Sequence, residues 1–316
     1  MRGEPGTPEF IATYNEAAAR KALPRRGVLL SLLQLYQASE DFGLLAHSTR
    51  RSYIPLIARI ENDFGDFPLS ALPDRRTRGV LMTWRDKIAA ASGRRQADYA
   101  WTVLARVFSW SLNRGLIGTN PCERGGRLYR SGSRADKIWT AADEAAFLER
   151  APAHLRLPLL VALWTGQRQG DLLRLPWSAY DGKHVRLRQS KGGKDGRRVV
   201  IPVGAPLKAA LDATAKRSTM ILTNSEGKPW TQDGFRASWG KACKRAGIVG
   251  VTFHDLRGTA VTRLAICGCT EAEIATITGH SLRSVRAILD THYLSRDPAL
   301  AESAIRKLER GTKTPD

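Results

Sequence analysis

Residues 184–203 read HVRLRQSKGGKDGRRVVIPV, and their period of two sets them apart from a chain otherwise helical in pattern. Val185 and Leu187 alternate with Arg186 and Arg188, while Val199, Val200, Ile201 and Val203 form a second run. The turn-forming Lys191-Gly192-Gly193-Lys194-Asp195-Gly196 between them predicts a β-hairpin. Residues 220–223 are expected to add a third short strand. Upstream, Trp139-Thr140-Ala141-Ala142-Asp143 opens a helical stretch running through Leu163, with Thr140 as N-cap. Downstream the pattern is helical to the end. The expected class is mainly α with a small antiparallel β-sheet.

Working outward to the N-terminal side, apolar residues at helical spacing predict four helices, over 28–38, from Ser48 as N-cap, over 75–91 and over 95–113. They make one small all-α unit. The expected organisation is a lead-in over 1–27 without packed structure, a helical domain over 28–122, a basic linker over 123–137 and a second domain over 138–316. Within the last, Asp297 and Pro298 read as N-cap and N1 of a closing helix, about 298–310. Its apolar face carries Leu300, Ala304, Ile305 and Leu308.

Net charge is the outlier of the composition. Fifty Lys and Arg against thirty Asp and Glu leave +20, with a pI near 10.4. That excess implies a polyanionic partner, and excess acid would serve solubility better. No membrane partner is expected, because no apolar run approaches the ~20 residues that span a bilayer. The N-terminus lacks the apolar stretch of a signal peptide. Cys122, Cys243, Cys267 and Cys269 are too scattered for a disulfide framework or a zinc site. They read as reduced thiols of a cytoplasmic protein.

Six residues carry candidate chemistry. Arg168 follows Thr165-Gly166, a turn between two helices, where its fork suits bidentate phosphate binding. Asp171, three residues on, is placed to hold that guanidinium. His254 and Arg257 in HDLR fall at i and i+3, on one face if a helix starts there. Lys191 lies at the hairpin tip, His280 follows Gly279 in a turn that would point a donor toward the same pocket, and Tyr293 is the only tyrosine after His280. Taken singly, each also fits a plainer role: a solvated arginine or lysine, a capping histidine, a packing tyrosine.

The joint pattern is specific. T-G-x-R, a hairpin lysine, H-x-x-R, G-H and a tyrosine follow in this order within one domain of roughly 180 residues. Over about residues 28–311 the chain resembles the tyrosine recombinase (phage integrase) family. The resemblance implies that the N-terminal helices form a core-binding, SAM-like domain, closed by GLIGTNPC at 115–122. It implies that Arg168 and Arg257 are the catalytic arginines. Lys191, His254 and His280 are then further pocket residues, and Tyr293 is the nucleophile.

The reaction so implied is site-specific DNA recombination through a 3′-phosphotyrosine intermediate, without metal or ATP. Its partners would be double-stranded DNA, three further copies in a homotetramer on paired DNA sites, and accessory DNA-bending proteins. The closing helix, whose apolar face from sequence alone could equally cover its own domain, would by this resemblance dock on a neighbouring protomer. A bacterial or phage-encoded enzyme of this kind works at the nucleoid. Two rivals share the chemistry or the fold: a type IB topoisomerase, and a non-catalytic DNA-binding regulator.

Two departures from the family pattern stand out. The spacing from His280 to Tyr293 is about one helical turn, roughly four residues, longer than is common, which keeps the tyrosine on the same helix face. The ~27 residues ahead of the first helix are too few for the arm-binding domain many phage integrases carry.

Overall fold

The computed structural model describes residues 27–130, 137–190 and 196–292, and beyond these 301, 302, 305, 306, 308 and 309. The chain divides into two compact units, Met1–Ser131 and Gly132–Asp316.

The first unit is all helical: α1 (Leu29–Ala38), α2 (Glu40–Gly43), α3 (His47–Phe64), α4 (Arg75–Ser92) and α5 (Arg94–Leu112). Its core takes one stripe from each long helix, including Leu33 and Tyr36, Ile57 and Ile60, Leu81 and Trp84, Leu104 and Phe108. The second predicted helix starts slightly earlier than expected, with Ala46 rather than Ser48 at its N-cap and no side-chain cap. Helix α2 escaped the periodicity because it is one turn long. Ser39 caps it, accepting from the Phe42 N–H at 3.3 Å.

The chain after α5 stays fastened to this unit well past Cys122. Arg85, 1% exposed, pairs with Asp98 and donates to the carbonyls of Gly125 at 2.6 Å and Gly126 at 3.0 Å. Asp98 in turn accepts the Leu128 and Tyr129 N–H groups, at 3.0 and 2.9 Å. Burial pushes the Asp98 carboxyl up, but those two N–H groups and Arg85 outweigh it and hold the group below its ordinary range. Gly125 has no room for a side chain, since a Cβ there would lie 2.1 Å from Trp101 Nε1. The stretch read from sequence as a tether from 123 is therefore held on the helical unit as far as Tyr129.

The second unit opens on Trp139, buried in the core and donating from its indole to the Thr252 carbonyl at 2.9 Å. Helix α6 (Ala141–Arg150) begins with a capping box, Thr140 and Asp143 each bonding the other's backbone N–H. Then come α7 (Ala153–Thr165), α8 (Gln169–Leu172), β1 (His184–Arg188), β2 (Arg198–Pro202), α9 (Ala205–Asp212) and α10 (Gln232–Arg245). A 3-10 turn at Phe253–Asp255 leads into α11 (Leu256–Ile266), α12 (Glu271–Thr278) and α13 (Leu282–His292). The fold class is thus mainly α with one two-stranded antiparallel sheet, paired from His184↔Pro202 to Arg188↔Arg198.

The third strand does not form. Residues 220 and 223 make only isolated bridges, to Pro176 and Pro229. The Pro176 bridge is held by the Trp177 N–H to the Thr219 carbonyl and the Ile221 N–H to the Leu175 carbonyl, both at 2.9 Å. The Leu175 N–H is spent on the Leu172 carbonyl and the chain turns into a 3-10 helix at Trp177–Ala179, so no ladder extends from it. The main core gathers Trp139, Phe147, Leu159, Val185, Phe235 and Trp239. A smaller cluster of Val261, Ala265, Ile274, Val285 and Leu289 packs α11, α12 and α13 together. That second cluster sets the position of the Gly279-His280 turn. The expected closing helix at 298–310 falls mostly outside the described residues. No described helix is long and apolar enough to cross a membrane.

Candidate active site

The site grows from two left-handed glycines. Gly166 ends α7 at φ 62° and Gly279 ends α12 at φ 68°, a conformation that glycine adopts without cost. Both also stand where a side chain cannot fit. A Cβ on Gly166 would come within 2.8 Å of Thr278 Cγ2, and one on Gly279 within 2.3 Å of Gln189 Nε2. The two glycines let the turns after α7 and α12 and the end of β1 close on one another.

Arg168 and Arg257 meet around those turns. Arg168 is the N-cap residue of α8, half-buried, and donates from Nη1 to Gln189 Oε1 at 3.2 Å. Arg257, 5% exposed, lies in the first turn of α11. Its Nη1 donates to the Gly166 carbonyl and to the Thr278 carbonyl at 2.9 Å, and its Nε donates to His280 Nε2 at 3.1 Å. Its Nη2 is buried with no hydrogen-bond partner among the described residues. Burial first, then the charge of Arg168, lowers Arg257 to about 9, with Asp171 opposing. Two guanidinium groups close together with one N–H edge unspent make an anion site.

The hydrogen bonds fix the tautomer of His280. The Thr278 hydroxyl donates to the Ile274 carbonyl at 2.6 Å, which spends its hydrogen. It therefore accepts from His280 Nδ1 at 2.9 Å, leaving Nε2 bare to accept from Arg257. Burial, then Arg257, Arg168, His254 and Arg197, push the imidazole down to about 3. His280 is thus neutral and orients the Arg257 fork, whereas the sequence pattern suggested a donor to phosphate.

This depression has a sign for stability. An unfolded histidine takes its proton near the ordinary value of 6.5, but the folded one not until about 3. Between those values the unfolded state holds more protons. The stabilisation is complete above the ordinary value and is lost as pH falls through the window. We expect wild type to lose more melting temperature than His280→Asn on going from about pH 7 to about pH 5. Equal losses would show that the folded imidazole titrates normally.

Asp171 does not hold Arg168, as its spacing suggested. Its Oδ1 accepts the Ser190 N–H at 2.9 Å and Arg174 Nη2 at 3.2 Å, so it pins the root of the hairpin instead. His254 is exposed on the 3-10 turn, and Arg257 on the α-helix that follows, rather than both on one helix. Lys191 and Tyr293 lie outside the described residues. No group of three or more His, Cys, Asp or Glu side chains that could hold a metal occurs among the described residues.

Sequence reasoning missed Gln167, Gln189 and Thr278. Gln189 donates to Gln167 Oε1 at 2.6 Å and to the Thr278 carbonyl at 2.9 Å. Gln167 donates to the carbonyls of Thr165 and Ile277, both at 2.9 Å. A signal for Gln189 was available. It falls on the inward parity of β1, two residues after Leu187, where a polar side chain calls for an explanation.

A family model described as "Phage integrase family" matches residues 132–289, half of the chain. The integrase of Escherichia phage HK022 is 28% identical over 225 residues, 66% of this chain and 60% of that protein. The match therefore spans about three fifths of that relative's length. Among solved structures, a lambda integrase dimer bound to a COC′ core site gives a TM-score of 0.72 at 21% identity, covering 92% of this chain and 86% of the other. A lambda integrase tetramer bound to a Holliday junction gives 0.68 at 22%, covering 89% and 83%. At such identities the likeness is one of fold. The matched span holds both arginines, His254 and His280, and this chain belongs to the phage integrase family.

Proposed function

We propose that the chain is a site-specific DNA recombinase that cuts and rejoins duplex DNA through a 3′-phosphotyrosine. The observation that carries this reading is the arginine pair, two cations held together with the buried Nη2 of Arg257 left unpartnered among the described residues. The two non-bridging oxygens of a phosphodiester match two such forks and relieve their repulsion. The +20 charge supplies the remaining attraction to DNA.

In the reaction, the Tyr293 oxygen attacks the scissile phosphorus and the bond to the 5′-oxygen breaks. Arg168 and Arg257 take up the charge that builds on the non-bridging oxygens. His254 accepts the phenol proton, and Lys191 supplies one to the departing 5′-oxygen. The phosphotyrosine keeps the energy of the broken linkage, so a 5′-hydroxyl from the partner duplex reverses the step and seals the exchanged strand. The integrase neighbours were solved as a dimer and a tetramer on DNA. In this reading the chain likewise works as a homotetramer on paired sites, with its C-terminal segment docked on a neighbouring protomer and accessory DNA-bending proteins assisting. Its place is the cytoplasm of a bacterial host, on the nucleoid.

The test is a nicked suicide duplex built from the junctions of the element that encodes the chain. We expect a protein–DNA adduct on the 3′ side of the break, formed equally well in EDTA, and strand transfer to a second marked duplex. Adduct with relaxation but no transfer would assign a topoisomerase, and cleavage without adduct would overturn the reading.

A further inference from the structure

We propose that Gln189, braced by Gln167, is a positioning residue that aims Arg168 at the scissile phosphate and couples it to Arg257. The inference rests on the phosphodiester-cleaving reading above. It adds residues that the motif pattern does not contain.

Both amides are buried, Gln189 at 1% and Gln167 at 2% exposure. A buried amide destabilises the fold unless its hydrogen bonds are made. Here they are made in one way only. The carbonyls of Thr165, Ile277 and Thr278 can only accept, so they fix the nitrogen end of each amide. Gln167 Oε1 then faces Gln189 Nε2 at 2.6 Å. What remains is the oxygen of Gln189, aimed at Arg168 Nη1 at 3.2 Å. Flipping the amide would set an NH2 group against a guanidinium and an oxygen against two others. The acceptor for Arg168 is therefore locked.

The choice of acceptor has a chemical consequence. A carboxylate here would orient Arg168 equally well, but it would also discharge it and compete with the phosphate. An amide oxygen orients the fork and leaves its full charge for the substrate. The Thr278 carbonyl joins the two arginines, since it accepts from Gln189 Nε2 and from Arg257 Nη1, both at 2.9 Å. Arg168, Gln189, the Thr278 carbonyl and Arg257 thus form one continuous chain of hydrogen bonds across four segments. Gly279 makes the approach possible, because any side chain there would displace the Gln189 amide.

The experiment is single-turnover cleavage of the suicide duplex at saturating DNA, with wild type, Gln189→Met and Gln167→Met. Methionine keeps length and volume and removes the hydrogen bonds. Losing a hydrogen bond to a charged group predicts about a tenfold to hundredfold slower cleavage for Gln189→Met, with duplex affinity nearly unchanged. Gln167→Met, which leaves Arg168 its acceptor but unlocks it, should be slowed less. A second substrate carries a methylphosphonate at the scissile position, replacing one charged oxygen by a methyl group. There the demand on Arg168 falls, so the ratio of wild type to variant should shrink.

A folded Gln189→Met that cleaves within a few-fold of wild type would overturn the proposal, as would equal losses on both substrates, the mark of a merely structural role. If Gln189→Met melts below the assay temperature, Gln167→Met decides by the same comparison. Wild-type adduct formation tests the underlying reading separately. If wild type forms none, both fall together.

Discussion

Tyr293→Phe is expected to reduce cleavage and covalent adduct to background while leaving duplex affinity nearly unchanged. One oxygen is removed from a ring, no charge is altered, and the ring's packing capacity is kept. Affinity for DNA draws on many phosphate contacts by Lys and Arg, none of which this change touches. Covalent catalysis, in contrast, depends wholly on the nucleophilic atom. Two of the other tyrosines are poor substitutes. Tyr53 is raised above its ordinary range by burial, and Tyr180 by burial and by its hydrogen bond to Asp212, so both phenols ionise less readily than usual. Adduct formation is read on a denaturing gel beside binding on a native one. An adduct recovered with the Phe variant would place the nucleophile elsewhere.

The parts of this fold that were legible in the sequence are those in which one local signal points to one structure. Thr140 marks a helix N-cap, and it caps α6, with Asp143 completing a capping box. The alternation of 185–188 and the apolar run of 199–201 mark a hairpin, and the two segments pair antiparallel. Residues 220–223 misled because β-rich composition says nothing about where the neighbouring chain runs, and beyond Pro176 it turns into a 3-10 helix at Trp177–Ala179. The clasp of Arg85 and Asp98 on 125–129 joins residues far apart in the chain, so no periodicity announces it. In the site, the motif order was legible and the hydrogen bonding was not. Asp171 lies three residues from Arg168, a spacing that suggested a pair, yet the Ser190 N–H claims its Oδ1. His280 carried a donor's expectation until the Thr278 hydroxyl fixed its tautomer. Tertiary approach assigns those partners, and the approach is set by two glycines whose steric role shows only in three dimensions.

Arg168→Ala is expected to slow cleavage about 10²–10³-fold, the loss of ~3–4 kcal/mol typical of one oxyanion-type donor. Binding should change far less, because other phosphate contacts remain. Arg168 is the cleaner of the two arginines to remove. Among the described residues its side chain makes one hydrogen bond, to Gln189, whereas the Arg257 side chain bonds the carbonyls of Gly166 and Thr278 and the His280 ring. Arg257→Ala should therefore lose both rate and melting temperature, and Arg168→Ala chiefly rate. Arg168→Lys should rescue little, since an ammonium group cannot fork across two oxygens or meet the Gln189 amide in the same geometry. The double variant Arg168→Ala/Gln189→Met gives the sharpest comparison. Once the guanidinium is gone the amide has nothing left to aim, so the second substitution should add almost no further loss. Additive losses would show that Gln189 acts by another route, and cleavage by Arg168→Ala within a few-fold of wild type would move the active site away from the arginine pair.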